Sequence, residues 1–140
     1  MELNPAYIPA YVNLADLYRS KVMENKAVEV LRLALKIAPD NAVLHHALGL
    51  TLVRQQLIDM GIEELRIASR LNPDDVRYVY VYAVALNSTG KPKQAVVVLE
   101  DAHNMFPDNV EILSALVAFY RDMGDQAKAQ VYIKKLALLI

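Results

Sequence analysis

Cysteine is absent from the 140 residues. That excludes disulfides and thiolate metal sites and leaves the compartment, cytoplasmic or periplasmic, undecided. Charge of one sign is lacking as well: 15 Lys and Arg against 16 Asp and Glu give a net charge of −1. The basic residues are scattered, so no nucleic-acid partner is expected. No apolar run approaches the ~18 residues of a membrane span, and no signal-peptide pattern opens the chain. A soluble protein without membrane insertion is therefore expected. Patterns that carry chemistry are also missing. There is no nucleophile motif, glycine-rich phosphate loop or dinucleotide fingerprint, and no His/Asp/Glu triplet has ligand spacing. Neither catalysis nor a metal or other cofactor is expected. What the chain does have is apolar content of 55%, above the ~45–50% typical of soluble domains. That surplus points to apolar surface kept open for a partner.

Glycine is scarce, but proline is placed with a rule: Pro5, Pro39, Pro73 and Pro107 stand 34 residues apart. Each closes a similar phrase, as in Ile37-Ala38-Pro39-Asp40-Asn41 and Met105-Phe106-Pro107-Asp108-Asn109. Proline cannot continue a helix ladder and pushes the residue before it out of the α region, so each phrase ends a helix. The Asp or Asn that follows can accept hydrogen bonds from the free N–H groups opening the next one. A two-helix unit repeated at this period cannot bury its apolar face alone and must stack on its copies.

Between the prolines the residues match the pattern W-x2-L-G-x2-Y…A-x3-F…P. The first unit reads Tyr11, Leu14, Ala15, Tyr18, Ala27, Leu31 and Pro39; the second His45, Leu48, Gly49, Leu52, Gly61, Leu65 and Pro73. The third reads Val79, Tyr82, Ala83, Leu86, Ala95, Leu99 and Pro107; the fourth Leu113, Leu116, Val117, Tyr120, Ala129 and Ile133. In this register the chain resembles the tetratricopeptide-repeat (TPR) family. The resemblance implies an all-α fold, a right-handed α-solenoid of antiparallel helix pairs. Small residues such as Ala15, Gly49, Ala83, Ala27, Gly61 and Ala95 would lie where paired helices approach most closely, and Gly90 and Gly124 at turns within a pair. Val117 is large for its position, and Leu136 replaces the alanine found at Ala34, Ala68 and Ala102. Tyr78-Val79-Tyr80-Val81-Tyr82 alternates like a strand when read alone, but the register makes it helical.

Helices are expected over 8–21, 25–38, 42–55, 59–72, 76–89, 92–105, 110–123 and 126–139. Residues 1–7 read as the tail of a preceding repeat, followed by repeats at 8–41, 42–75, 76–109 and 110–140 in one solenoid domain. Complete arrays usually finish in a polar cap, so the chain reads as a segment of a longer protein. Its terminal faces are expected to expose Tyr7, Tyr11, Tyr132, Leu136 and Leu139 and to allow homo-oligomers through the repeat ends.

The resemblance also implies the site. In this family the first helix of each repeat lines a concave groove that holds peptides or partner helices. The positions carried over are Val12, Asn13, Asp16 and Arg19, then Val43, His46, Leu50, Val53 and Arg54. The third repeat adds Arg77, Tyr80, Val81, Val84 and Asn87, and the fourth Glu111, Ser114, Ala118 and Arg121. A non-catalytic scaffold for a protein or peptide partner follows. The alternatives are a module that self-assembles through its ends, or a docking or spacer segment of a larger bacterial protein, such as one of the envelope. A subclass that binds chaperone carboxylates uses Lys, Asn, Asn, Lys and Arg. Here those positions hold Val12, Asp16, Ala47, Arg77 and Val81, and only Arg77 keeps the charge. His45 occupies a large aromatic position of the pattern, which implies a core role, while His46 points into the groove. His103 is expected to form a solvated pair with Glu100.

Overall fold

The computed structural model describes residues 8–20 and 23–140, except for the side chains of residues 16–20. Among these residues eight α-helices follow one another without a strand: α1 (Ile8–Ser20), α2 (Glu24–Ile37), α3 (Ala42–Arg54), α4 (Ile58–Leu71), α5 (Val76–Ser88), α6 (Pro92–Met105), α7 (Val110–Asp122) and α8 (Gln126–Ala137). The all-α helix-pair solenoid implied by the repeat register is thus the fold observed. The tyrosine-rich stretch at 78–82 lies inside α5. The phrase Leu3-Asn4-Pro5 and Tyr7 lie outside the described residues.

The helix ends are local chemistry repeated at the period. Ala38, Asn72 and Phe106, each preceding a periodic proline, leave the helical region with φ of −125°, −134° and −127°. Asn41 and Asn109 then cap α3 and α7, their side-chain oxygens accepting from the N–H of Leu44 and Ile112 at 3.1 and 2.9 Å. Asp125 caps α8 in the same way through Lys128 N–H. Pro92 occupies the first turn of α6, where its missing N–H has no partner to lose. Within the pairs, the N–H groups of Leu57, Lys91 and Asp125 reach back to the carbonyls of Leu52, Leu86 and Tyr120 at 3.0, 2.8 and 2.9 Å. That is the six-to-one bond of a Schellman ending. The residue before each donor is left-handed: Gly90 at φ 85°, Gly124 at 79°, and Gln56 at 67° where the motif would favour glycine.

The chain divides into two compact units, Met1–Tyr78 and Val79–Ile140. In the first, α1 packs on α2, α2 on α3 and α3 on α4, and α1 also touches α3. Tyr11, Ala15, Ala27, Leu31, Ala34, Leu44, Leu48 and Leu52 are buried in its core. Helices α3 and α4 run antiparallel, for His45 meets Glu64 while Gly49 meets Gly61. His45 is half-buried and does not act as an apolar core residue. Its Nδ1 lies 2.5 Å from Glu64 Oε2 and its Nε2 2.7 Å from the carbonyl of Pro39.

In the second unit α6 packs on α7 and α7 on α8. Leu99, Ile112, Leu113 and Leu116 are fully buried. Glu100 of α6 ties the other two helices down: Tyr120 Oη donates to its Oε1 at 2.9 Å and Tyr132 Oη to its Oε2 at 2.7 Å. The two rings stack with centroids 5.9 Å apart. Two expectations change here. Tyr132 is buried, because Glu100 satisfies its hydroxyl, and Tyr11 is buried too; neither forms an exposed terminal face. His103 is also buried, at 8% exposure. Its Nε2 lies 3.3 Å from Lys135 Nζ, which donates to it, and its ring edge meets Tyr132, so it forms no solvated pair with Glu100.

Candidate functional site: a groove face in the first unit

Val43, His46, Ala47 and Leu50 recur at the three- and four-residue steps that place side chains on one face of a helix. In α3 that face opens onto a cavity of about 230 Å³, which Val12 of α1 and Arg77 and Tyr78 at the start of α5 complete. A second cavity of about 400 Å³ adjoins it and shares Val12 and Val43; Ile8, Pro9, Asn13 and Asn41 line the rest. The shared residues are apolar, and polar Asn13 and Asn41 line the larger cavity as His46 and Arg77 line the smaller.

The electrostatics at the polar end are self-contained. Arg77 is largely exposed and sits 3.6 Å from Asp75 Oδ2, with its guanidinium carbon 5.4 Å from the centre of the Tyr78 ring. Asp75 also caps the chain locally, its Oδ1 accepting from Arg77 N–H at 3.0 Å. The Tyr78 ring meets His46 edge-on, with centroids 5.1 Å apart. Burial pushes the His46 pKa down, the Arg77 charge pushes the same way, and Asp75 opposes them. Its Nδ1 is buried and has no hydrogen-bond partner among the described residues.

Of the residues expected in the groove, the structure brings Val12, Val43, His46, Leu50 and Arg77 together around one cavity and Asn13 around its neighbour. Val53 turns a methyl towards Gly61 in α4. Arg54 reaches α2, where its Nε donates to Glu24 at 3.2 Å. The side chains of Asp16 and Arg19 lie outside the described residues. In the second unit Tyr80, Val81, Val84 and Asn87 are half-buried, while Glu111, Ser114, Ala118 and Arg121 are exposed on α7. Sequence reasoning missed Tyr78 as a wall of the site. Its repeat position is that of Leu44 and Ile112, both buried core residues, and nothing in the pattern announces that its ring edge reaches His46.

Helix pairs repeated on a 34-residue period and ended by the same local motifs define an α-helical repeat protein. The family model for the tetratricopeptide repeat matches residues 8–41, and the other helix pairs resemble that repeat in the same register. A crystal structure of MamA shares the fold with a TM-score of 0.78 at 20% identity, covering 97% of this chain and 80% of that one. An MSR-1 MamA structure is 26% identical, with a TM-score of 0.71 over 92% of this chain and 74% of that one. Among curated proteins, the BBSome complex member BBS4 of Bos taurus is 28% identical over 120 residues. That match takes in 84% of this chain but spans only 23% of BBS4. Fold and relatives together support the coarse role of a protein-interaction scaffold. Among the described residues no helix is long and apolar enough to cross a membrane.

Proposed function

We propose that this chain is a non-catalytic binding module whose groove face, built by α1, α3 and the start of α5, receives a segment of a partner protein. The observation that carries this reading is the pair of adjoining cavities sharing Val12 and Val43. Their linings mix apolar and polar side chains, as specific interfaces do. The apolar side chains supply affinity through burial, and the polar ones select register and partner. Membership of BBS4 in a multiprotein complex is in keeping with such a role. The repeat limits 8–41, 42–75, 76–109 and 110–140, and the groove positions on α5 and α7, belong to the same proposal.

The test begins with peptides selected from a random display library against the whole chain. Their affinity is then measured calorimetrically for Leu50→Glu and Val43→Asp, with Val97→Asp on the exposed face of α6 as control. The first two should lose binding with unchanged helix content, and the control should keep it. Binding that survives Leu50→Glu places the partner elsewhere.

A further inference from the structure

His45 and His103 are set among opposite neighbours. His45 faces two acceptors, the Glu64 carboxylate and the carbonyl of Pro39. His103, buried in α6, faces a donor instead: the Lys135 ammonium in the last turn of α8 lies 3.3 Å from its Nε2. An ammonium has no lone pair to offer, so Nε2 is the bare, accepting nitrogen and the ring hydrogen sits on Nδ1. That Nδ1 is buried and has no hydrogen-bond partner among the described residues. The contact therefore exists only with the neutral ring. A proton on Nε2 would set two cations at hydrogen-bond distance and leave both ring N–H groups without an acceptor.

The other groups of this cluster are committed elsewhere. Glu100, one turn earlier on α6, already accepts the hydroxyls of Tyr120 and Tyr132, one on each oxygen. Turning it towards His103 would draw it away from the bonds that hold α7 and α8. The Tyr132 ring, 5.8 Å from the His103 ring, carries the Lys135 ammonium 5.5 Å from its own centre. From α7, Tyr120 joins the cluster through Glu100, while Glu111, Arg121 and Asp122 are exposed. The part of α5 in this unit, residues 79–88, contains no charged side chain. Burial pushes the His103 pKa down, the Lys135 charge pushes the same way, and Glu100 opposes them. On protonation the exposed Lys135 can turn into water. The buried imidazolium reaches water only when the end of α8 moves aside.

We propose that His103 and Lys135 form an acid-released latch: the neutral ring holds the last turns of α8 to α6 through the Lys135 ammonium, and a proton on the ring turns that contact into a repulsion that frees them. Release stops short of unfolding the repeat, because the Asp125 cap and the buried Ala129 hold the first turn of α8. It is a local opening, of the kind that hydrogen exchange reads residue by residue.

The test is amide hydrogen exchange of the whole chain by NMR from about pH 7.5 to about 5, corrected for the intrinsic rate at each pH. One proton bound by the open form and refused by the closed one lowers protection by up to about tenfold per pH unit. The fall should begin near 6.5 and level off at the lower folded value. Amides of Tyr132 to Ala137 should show it, while those of Val30 to Ala34 in α2 should hold. His103→Gln should make α8 protection independent of pH over this range. Lys135→Glu offers the imidazolium an acceptor and should reverse the sign, so that protection rises as pH falls. If His103→Gln loses its helical spectrum, the reversal at exposed Lys135 carries the test. Flat α8 protection in the parent overturns the latch, and so does an equal loss in α2, which marks global unfolding. The same fall in a folded His103→Gln, or an unreversed slope in Lys135→Glu, overturns it as well.

Discussion

Gly49 and Gly61 face each other across α3 and α4 so closely that each leaves no room for a methyl on the other. A Cβ added to Gly49 would lie 2.9 Å from the carbonyl oxygen of Gly61, and a Cβ on Gly61 would lie 2.9 Å from the carbonyl oxygen of Gly49. Leu65 crowds the first and Val53 the second, at 2.7 and 2.6 Å. Side chains can rotate away, but two backbones can separate only by moving whole helices.

Gly49→Ala and Gly61→Ala should therefore each destabilise the fold by ~1–3 kcal/mol, the cost of overpacking. Once the helices have moved apart for one methyl, the second meets less resistance. The double variant should thus cost less than the sum of the singles. Urea melts of the four proteins decide it, and strict additivity would mean that the two sites relax independently.

The left-handed residue of the three Schellman endings is Gln56 in one and glycine in the other two. A side chain in that conformation costs roughly 1–2 kcal/mol, partly offset by the greater chain entropy that glycine loses on folding. Gln56→Gly should stabilise by up to ~1 kcal/mol. Gly90→Ala should destabilise by about 1 kcal/mol, although nothing lies within 4 Å of the added Cβ. Thermal melts of both variants should move in opposite directions.

Burial, then the Glu100 hydrogen bond, pushes the Tyr120 pKa up to about 12, and the same causes raise that of Tyr132. Unfolded tyrosine ionises near 10, so above that pH the unfolded chain releases protons that the folded chain retains. Stability should be fully present below pH 10 and fall as pH climbs from 10 through 12. Tyrosine ultraviolet absorbance should show two late-titrating rings. In Tyr132→Phe the alkaline loss of stability should shrink; an unchanged loss would place its origin elsewhere.

At the acid end the sign reverses. Burial lowers the pKa of His46 and of His103, with Arg77 and Lys135 as the second causes. The unfolded rings take up protons near 6.5 while the folded ones still resist. The contribution of both rings is complete above 6.5 and declines as pH falls through the lower folded values. Replacing both by leucine should flatten the stability profile as pH falls below about 6.5. A slope equal to that of the parent would assign the acid sensitivity to other groups.

How much of this was legible beforehand follows the range of the interactions. Pro39 and Asn41, or Pro107 and Asn109, end one helix and cap the next through bonds spanning a few residues, so helix bounds could be read to within about two residues. The small residues at 49 and 61 signalled close approach because the period places them opposite each other. The same register put His46 on the expected groove face, and the residue lines the cavity there. It did not separate Val53 from its neighbours, because its repeat position does not reveal that its methyl is drawn to the space above Gly61.

The sequence by itself determined the helix pairs and their ends, since these depend on backbone chemistry between near neighbours and on a period that repeats it. Only the tertiary structure decided what the side chains do across the pairs. Tyr132 is buried because Glu100, 32 residues earlier, accepts its hydroxyl. Arg54 reaches α2 because Glu24, 30 residues earlier, accepts its Nε–H. Tyr78 closes the wall beside His46 because α5 begins where the face of α3 opens. Each outcome is a competition between partners distant in the chain, won by distance and desolvation, and no local pattern records which partner is nearer.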